Sequence, residues 1–366
     1  MATVAKSPLT HSTFAPMSAR RLLVIGGIAL VAGGMLFGDI FAVFILHQNA
    51  GQQGAALIAA THAVAAGDEA EVHKIFGSLG NLLEDRGTKV DAHVHMIGAG
   101  YLALLLALVQ PFVVLASGAK KILATVFIGG GALLPIGIFL IHYVGLTRSP
   151  FAVIGWASIL ADSAGTLLII VLVAEGWGFR NYLRTGKLAE PALPEDESWS
   201  RRILLSGGTL LVLLGFLHGA WYASIYLYEH ERMETDILQN MMTTASAKDL
   251  ATATAHVGAF GNLAGSRAIN IAAHSHIIEF GMLAMLLSFV QPYVFLSELW
   301  KRRWTRVLLA GSLILPVFVL LELKFGLLAG GIADIGGLMV IVALVAMLVG
   351  VLRYTGTLDA STGGAS

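Results

Sequence analysis

Long apolar runs separated by short polar segments dominate this chain. Eight runs reach the length of about 20 residues that a helix needs to cross a bilayer. They fall near 22–46, 92–116, 122–146, 151–177, 203–228, 271–298, 305–328 and 332–353. Two intervening segments are long, 47–91 and 229–270, and each follows the first span of a group of four. Their sequences, such as AALIAATHAVAAGDEAEVHKIF and ERMETDILQNMMTTASAKDLATATAHVGAF, read as helical. Connections of that length in a compact protein are commonly structured lids, here over the mouths of the spans.

The grouping by fours comes from an internal repeat. HVHMIGAGYLALLLALVQPF, from His93 to Phe112, returns as HSHIIEFGMLAMLLSFVQPY from His274, with 11 of 20 positions identical at an offset of 181 residues. The same offset superposes Gly26 on Gly207, Gly80-Asn81 on Gly261-Asn262 and Pro135 on Pro316. A period this long marks a duplicated domain-sized unit rather than a solenoid. The expected architecture is an all-α integral membrane protein of eight transmembrane helices, in two parallel four-helix repeats. An even number of spans gives both units one orientation, so a pseudo-two-fold axis along the membrane normal should relate them. The repeats cover 22–177 and 203–353, joined by the polar linker 178–202 and flanked by tails 1–21 and 354–366.

Composition agrees. The chain is 56% hydrophobic and 13% charged, with a mean hydropathy of +0.78, against about 25% charged in soluble domains. Zero net charge gives no indication of a nucleic-acid partner. The absence of cysteine excludes disulfides, thiolate metal sites and Cys-held iron–sulfur clusters. Arg20-Arg21 precedes an apolar run too long for a cleavable signal, so the first span reads as retained. Positive charge gathers at Lys120-Lys121, Arg180 to Lys187, Arg201-Arg202, Lys301 to Arg303 and Arg353. By the positive-inside rule both termini are cytoplasmic, and a bacterial inner membrane is the expected location.

The histidines then fall on one side. Of twelve, only His11 lies on the cytoplasmic side. His47, His93, His95, His142, His230, His274 and His276 sit at outer span ends, and His62, His73 and His256 lie in the outer segments. His218 lies within span five, roughly 15 Å below its outer end. In each His-x-His pair the two side chains point about 200° apart on a helix, which suits two sites on opposite sides of it. His276 and Glu279 are three apart and share a face, whereas the first repeat has Gly98 in the place of Glu279.

Other polar positions have diverged between the repeats. Glu322 and Lys324 replace Ile141 and Tyr143, Leu323 replaces His142, and His218 replaces Phe37. Asp162 and Asp334 match in the last spans, while Asp39 faces Ala220 in the alignment. Intramembrane ionisable residues are costly and usually functional. The less specific readings are pairing or snorkelling for Glu322 and Lys324, and helix packing for Asp162 and Asp334. Gln110-Pro111 and Gln291-Pro292 read as kinks or helix ends. Trp221, Tyr222, Tyr226 and Tyr228 read as an interfacial belt.

HVHMIGAGYLALLLALVQPF at 93–112 and HSHIIEFGMLAMLLSFVQPY at 274–293 resemble the haem-ligating helix of haem–copper oxidase subunit I, in its cbb3 and nitric oxide reductase branches. The resemblance covers about twenty residues per repeat. It implies that His93 and His274 resemble the ligand of the active-site haem, and His95 and His276 that of the low-spin haem. The chain departs from the family in having fewer spans and no adjacent His-His pair for a distal metal.

The leading expectation is a membrane haem protein, most simply with haem b, that carries electrons near the outer face of a respiratory or other redox assembly. Its partners would be the bilayer and a redox protein or quinol. Haem takes one or two axial imidazoles. His93 or His95 would pair with His142, and His274 or His276 with His218, or one ligand from each repeat would share a cofactor. The alternative is a metal-dependent or quinol-linked oxidoreductase in the second repeat, where His274, His276, Glu279 and Glu322 offer ligands for Cu, Fe or Zn. A transporter is the third reading; it leaves the one-sided histidines unexplained.

Overall fold

The computed structural model describes residues 17–144, 156–186, 188, 198–222, 225–226 and 228–354. The segment 145–155, most of the linker 178–202 beyond residue 186, and nearly all of both tails, with His11, lie outside the described residues. The described chain forms helices α1 (Ala19–Phe41), α2 (His47–Ala66), α3 (Glu69–Val109), α4 (Ser117–Val144) and α5 (Trp156–Thr185). They are followed by α6 (Trp199–Tyr222), α7 (Tyr228–Ser246), α8 (Leu250–Val290), α9 (Glu298–Phe325) and α10 (Leu327–Arg353). No strand occurs among the described residues. Eight of the helices are long and apolar enough to cross a membrane, as the hydropathy pattern predicts.

The outer segments differ from the expectation of separate lids. α3 and α8 each run for 41 residues without a break. At about 1.5 Å per residue they are about 60 Å long, roughly twice the hydrocarbon thickness. The spans expected at 92 and 271 therefore begin at Glu69 and Leu250. A hydropathy window registers only the apolar stretch of a helix that continues, amphipathic, beyond it. Asp68 and Asp249 start these helices by accepting hydrogen bonds from Glu71 N (3.0 Å) and Thr252 N (3.2 Å). Capping in this way satisfies an amide left without an intrahelical partner. α2 and α7 complete the projecting layer around a small core of Leu57, Met241 and Val257, with Ile58, Leu79, Leu238 and Phe260 packed against it.

Small residues set the helix pairs. A Cβ at Gly27 would stand 2.9 Å from Gly100 O, and one at Gly100 would stand 2.7 Å from Gly27 O, so α1 and α3 meet backbone to backbone. Gly208 and Gly281 repeat this between α6 and α8, at 2.6 and 2.7 Å. Close backbone approach through small residues is how helices associate where lipid weakens the hydrophobic drive. Gly130 meets Ala164 O between α4 and α5, as Gly311 meets Gly336 O between α9 and α10. The bounds of α3, the 3-10 turn 110–112 and α4 recur 181 residues later in α8, the turn 291–293 and α9.

The halves join along α1 and α10, α2 with α7 and α8, and α3 with α8. The Tyr101 hydroxyl donates to Glu279 O (3.1 Å) across this seam, and Arg21 Nη2 donates to Leu352 O (3.3 Å). The latter contact puts the start of α1 beside the end of α10. One buried core runs through both halves, from Leu23, Ile28 and Leu104 to Leu283, Leu287 and Leu344. The outward faces of α5 and α6 carry exposed Ile169, Val173, Leu210 and Leu217, apolar surface that lipid would solvate.

Candidate functional site

The seam holds a cavity of about 450 Å³, walled by α1, the π-helical turn Ala42–Leu46, α3, α8, α9 and α10. Its polar lining comes from both halves: Asp39, Arg86 and His93 from the first, and His276, Glu279, Glu322 and Asp334 from the second. The π turn, an element frequent at functional sites, contributes Ala42 and Val43 to the wall. Cavities of this size are typical of cofactor and small-ligand pockets, about 300–1,000 Å³.

The geometry of the His-x-His pairs is set by main-chain carbonyls. His93 Nδ1 donates to Gly34 O (2.7 Å), and its counterpart His274 donates to Gly215 O (2.9 Å). His95 Nδ1 donates to Asp91 O (2.7 Å), and His276 to Ala272 O (2.5 Å). A carbonyl oxygen only accepts, so each Nδ1 carries the proton, and a neutral ring then presents Nε2 with a free lone pair. A fixed tautomer with one nitrogen bound to a carbonyl is the usual setting of a ligating imidazole. Glycines make room for two of the rings, because a Cβ at Gly38 would overlap the His93 imidazole and one at Gly219 that of His274.

The four imidazoles do not share one destination. His93 and His276 line the seam cavity. His95 is exposed on α3, as expected from the opposite directions of residues two apart. His274 faces His218 of α6, with ring centres 6.5 Å apart. The pairing of His142 with His93 or His95 is replaced by another contact. His142 Nε2 stands 3.3 Å from Asp85 Oδ1, and Asp85 also pairs with Lys89 one turn along α3. An acidic neighbour so placed holds the imidazole at the projecting end of α4.

Of the expected metal set, His276, Glu279 and Glu322 line the cavity, while His274 lies with His218. Among the described residues no group of three or more His, Asp or Glu side chains is placed to hold a metal ion. Lys324 is exposed beside Phe325, its Nζ 5.7 Å from the ring centre, and does not line the cavity. Asp334 is in the cavity wall, whereas its counterpart Asp162 is exposed on α5. The Gln-Pro motifs form the 3-10 turns that end α3 and α8. Lys120 Nζ donates to Gln110 O (2.9 Å), and Lys301 Nζ to Gln291 O (3.4 Å).

Three charged cavity residues, Asp39, Arg86 and Asp334, lie outside the ligand sets expected from the sequence. Asp39 carries a legible signal, a lone carboxylate inside a span. Arg86 carries one as well, since the 181-residue offset superposes it on Arg267, but the hydropathy pattern assigns it to an outer connection and only the unbroken course of α3 brings it to the seam.

No protein-family model, no curated protein and no solved structure matches the chain. The fold and the site geometry therefore stand on the chain's own residues.

Proposed function

We propose that this protein is a membrane redox carrier whose seam cavity would hold haem through His93 and His276. The observation that carries the reading is the placement of these two imidazoles. They come from different halves, line one cavity, and each has its Nδ1 proton committed to a main-chain carbonyl. The absence of a three-ligand cluster among the described residues favours haem over a bare ion. A porphyrin supplies four of the iron's ligands and asks the protein for one or two, whereas a structural or catalytic zinc needs three or four protein ligands. When bound, haem supplies a one-electron couple whose potential depends on axial ligands and burial. Gly38 leaves space for the His93 ring, and Arg86 offers a cation for the carboxylates that haem carries.

In this reading the two halves are parallel units related by a pseudo-two-fold axis, with both termini cytoplasmic in a bacterial inner membrane. The recurring glycine contacts and the Arg21–Leu352 contact support that arrangement. The deciding experiment is an oxidised-minus-reduced visible spectrum of the detergent-purified protein, with metal content measured on the same sample. A haem spectrum that His93→Ala and His276→Ala abolish, and His95→Ala leaves in place, is the expected result. A preparation that is colourless under cofactor-retaining conditions would rule the reading out.

The carboxylates favour a second reading, a quinol-linked oxidoreductase. Asp39, Glu279, Glu322 and Asp334 share the cavity with the two imidazoles, and oxidation of a quinol releases protons that such groups accept. Quinol-dependent reduction of an artificial acceptor, lost in Glu279→Gln, distinguishes an enzyme from a carrier.

A further inference from the structure

His218 and His274 lie together in the second half, apart from the seam cavity, and the first half has nothing equivalent. His218 precedes Gly219 on α6, and the His274 ring lies over that glycine, with Nε2 3.1 Å from where its Cβ would be. The Nδ1 proton of His274 is committed to Gly215 O, so in the neutral ring its Nε2 carries a lone pair. The Nε2 of His218 is buried and has no hydrogen-bond partner among the described residues. A buried polar nitrogen left unmatched is costly and calls for an explanation.

We propose that His218 and His274 form a two-coordinate site for monovalent copper, bridging α6 and α8. The ring separation carries the argument. An imidazole nitrogen lies about 2.0 Å from a bound first-row ion and about 1.1 Å from its own ring centre, so two imidazoles in line on one ion have ring centres about 6.3 Å apart. The observed separation is 6.5 Å. The rings are tilted by 45° to each other, which in-line coordination tolerates because rotation about the N–metal–N axis leaves both bonds intact.

The ligand count selects the ion. Two nitrogens with no third His, Asp or Glu side chain converging on them among the described residues do not suit zinc, which takes four ligands, or calcium and magnesium, which take oxygen. Monovalent copper has a filled d shell and binds two nitrogen donors in line, and imidazole is a good copper ligand. In the first half the residue matching His218 is Phe37, which packs edge-on against Phe139 with ring centres 5.6 Å apart. Phenylalanine is thus a side chain this scaffold already holds at that position, which makes His218→Phe the natural variant.

The test uses the full-length protein in detergent. Monovalent copper is added anaerobically with a reductant, loosely held metal is removed with a competing chelator, and the retained copper is counted and its X-ray absorption edge recorded. One copper per chain with the intense edge feature of two-coordinate monovalent copper is expected. His218→Phe and His274→Gln should each weaken binding by more than about 100-fold, beyond the effect of losing an outer-shell partner, while His276→Ala retains the copper. Unchanged copper in His218→Phe, an edge showing three or more ligands, or no copper retained by the parent protein would each overturn the proposal. Loss of a haem spectrum in His218→Phe would also overturn it, by assigning the pair to a macrocycle. The visible spectrum of the same sample reports on His93 and His276 separately, so the two readings fail independently.

Discussion

His93 and His274 occupy the same position in two copies of one sequence, and both donate Nδ1–H to the same carbonyl of the preceding span, Gly34 O and Gly215 O. Beyond that bond their surroundings diverge. His93 looks into the seam cavity with Asp39 and Arg86, while His274 meets His218. Three aligned positions separate the environments: Phe37 against His218, Asp39 against Ala220, and Gly98 against Glu279. The lesson is that backbone contacts and chemistry are recorded in different residues. Glycines and carbonyls that bring helix axes together recur in both halves, because backbone approach tolerates little change. Side chains around the imidazoles face a cavity or lipid, and there substitution alters chemistry without disturbing the helix pair.

The comparison breaks most sharply at the imidazoles. If the seam site is shared by the halves, His93→Ala and His276→Ala each remove the haem spectrum, although these residues are not counterparts. Their counterparts His274 and His95 then matter little to it, and spectra of the four variants, side by side, decide this. A symmetric pattern, in which His93 and His274 behave alike, would instead place one independent site in each half.

The scaffold should behave in the opposite way. Gly100→Val and Gly281→Val each push a side chain into a carbonyl of the paired helix, an overpacking that costs about 1–3 kcal/mol. Thermal unfolding in detergent should show similar losses in the two variants. Unequal losses would mean that the two helix pairs are not equivalent supports.

The Gln-Pro turns give an intermediate case. Gln110 Nε2 donates to both carboxylate oxygens of Glu175 (3.1 Å each), whereas Gln291 Nε2 reaches Leu287 O (3.4 Å) and Met347 Sδ (3.8 Å). Gln110→Leu removes donors from a buried carboxylate and should cost about 1–3 kcal/mol. Gln291→Leu should cost less, and equal melting temperatures for the two variants would contradict this account. The smallest effect is expected at the projecting layer, where Asp68→Ala removes one helix cap, worth about 1 kcal/mol. Faster proteolysis near residues 66–72, with the spans intact, is the readout.

The pattern of apolar runs determined the helical membrane architecture and the number of spans, because a helix in hydrocarbon must satisfy its own backbone and stay apolar for about 20 residues. The repeat was legible through His93 and His274, Gln110 and Gln291, and Pro135 and Pro316. The opposite directions of His93 and His95 followed from the helical turn alone. Tertiary structure decided which imidazoles meet. His93 and His276 reach one cavity because α3 and α8 lie along the same seam, and His274 meets His218 because Gly219 lets its ring lie against α6. The course of α3 from Glu69, which brings Arg86 to the cavity, was also hidden from the sequence. Hydropathy reads the solvent of each residue, whereas contacts 59 or more residues apart, such as His93 to Gly34, depend on how the helices pack.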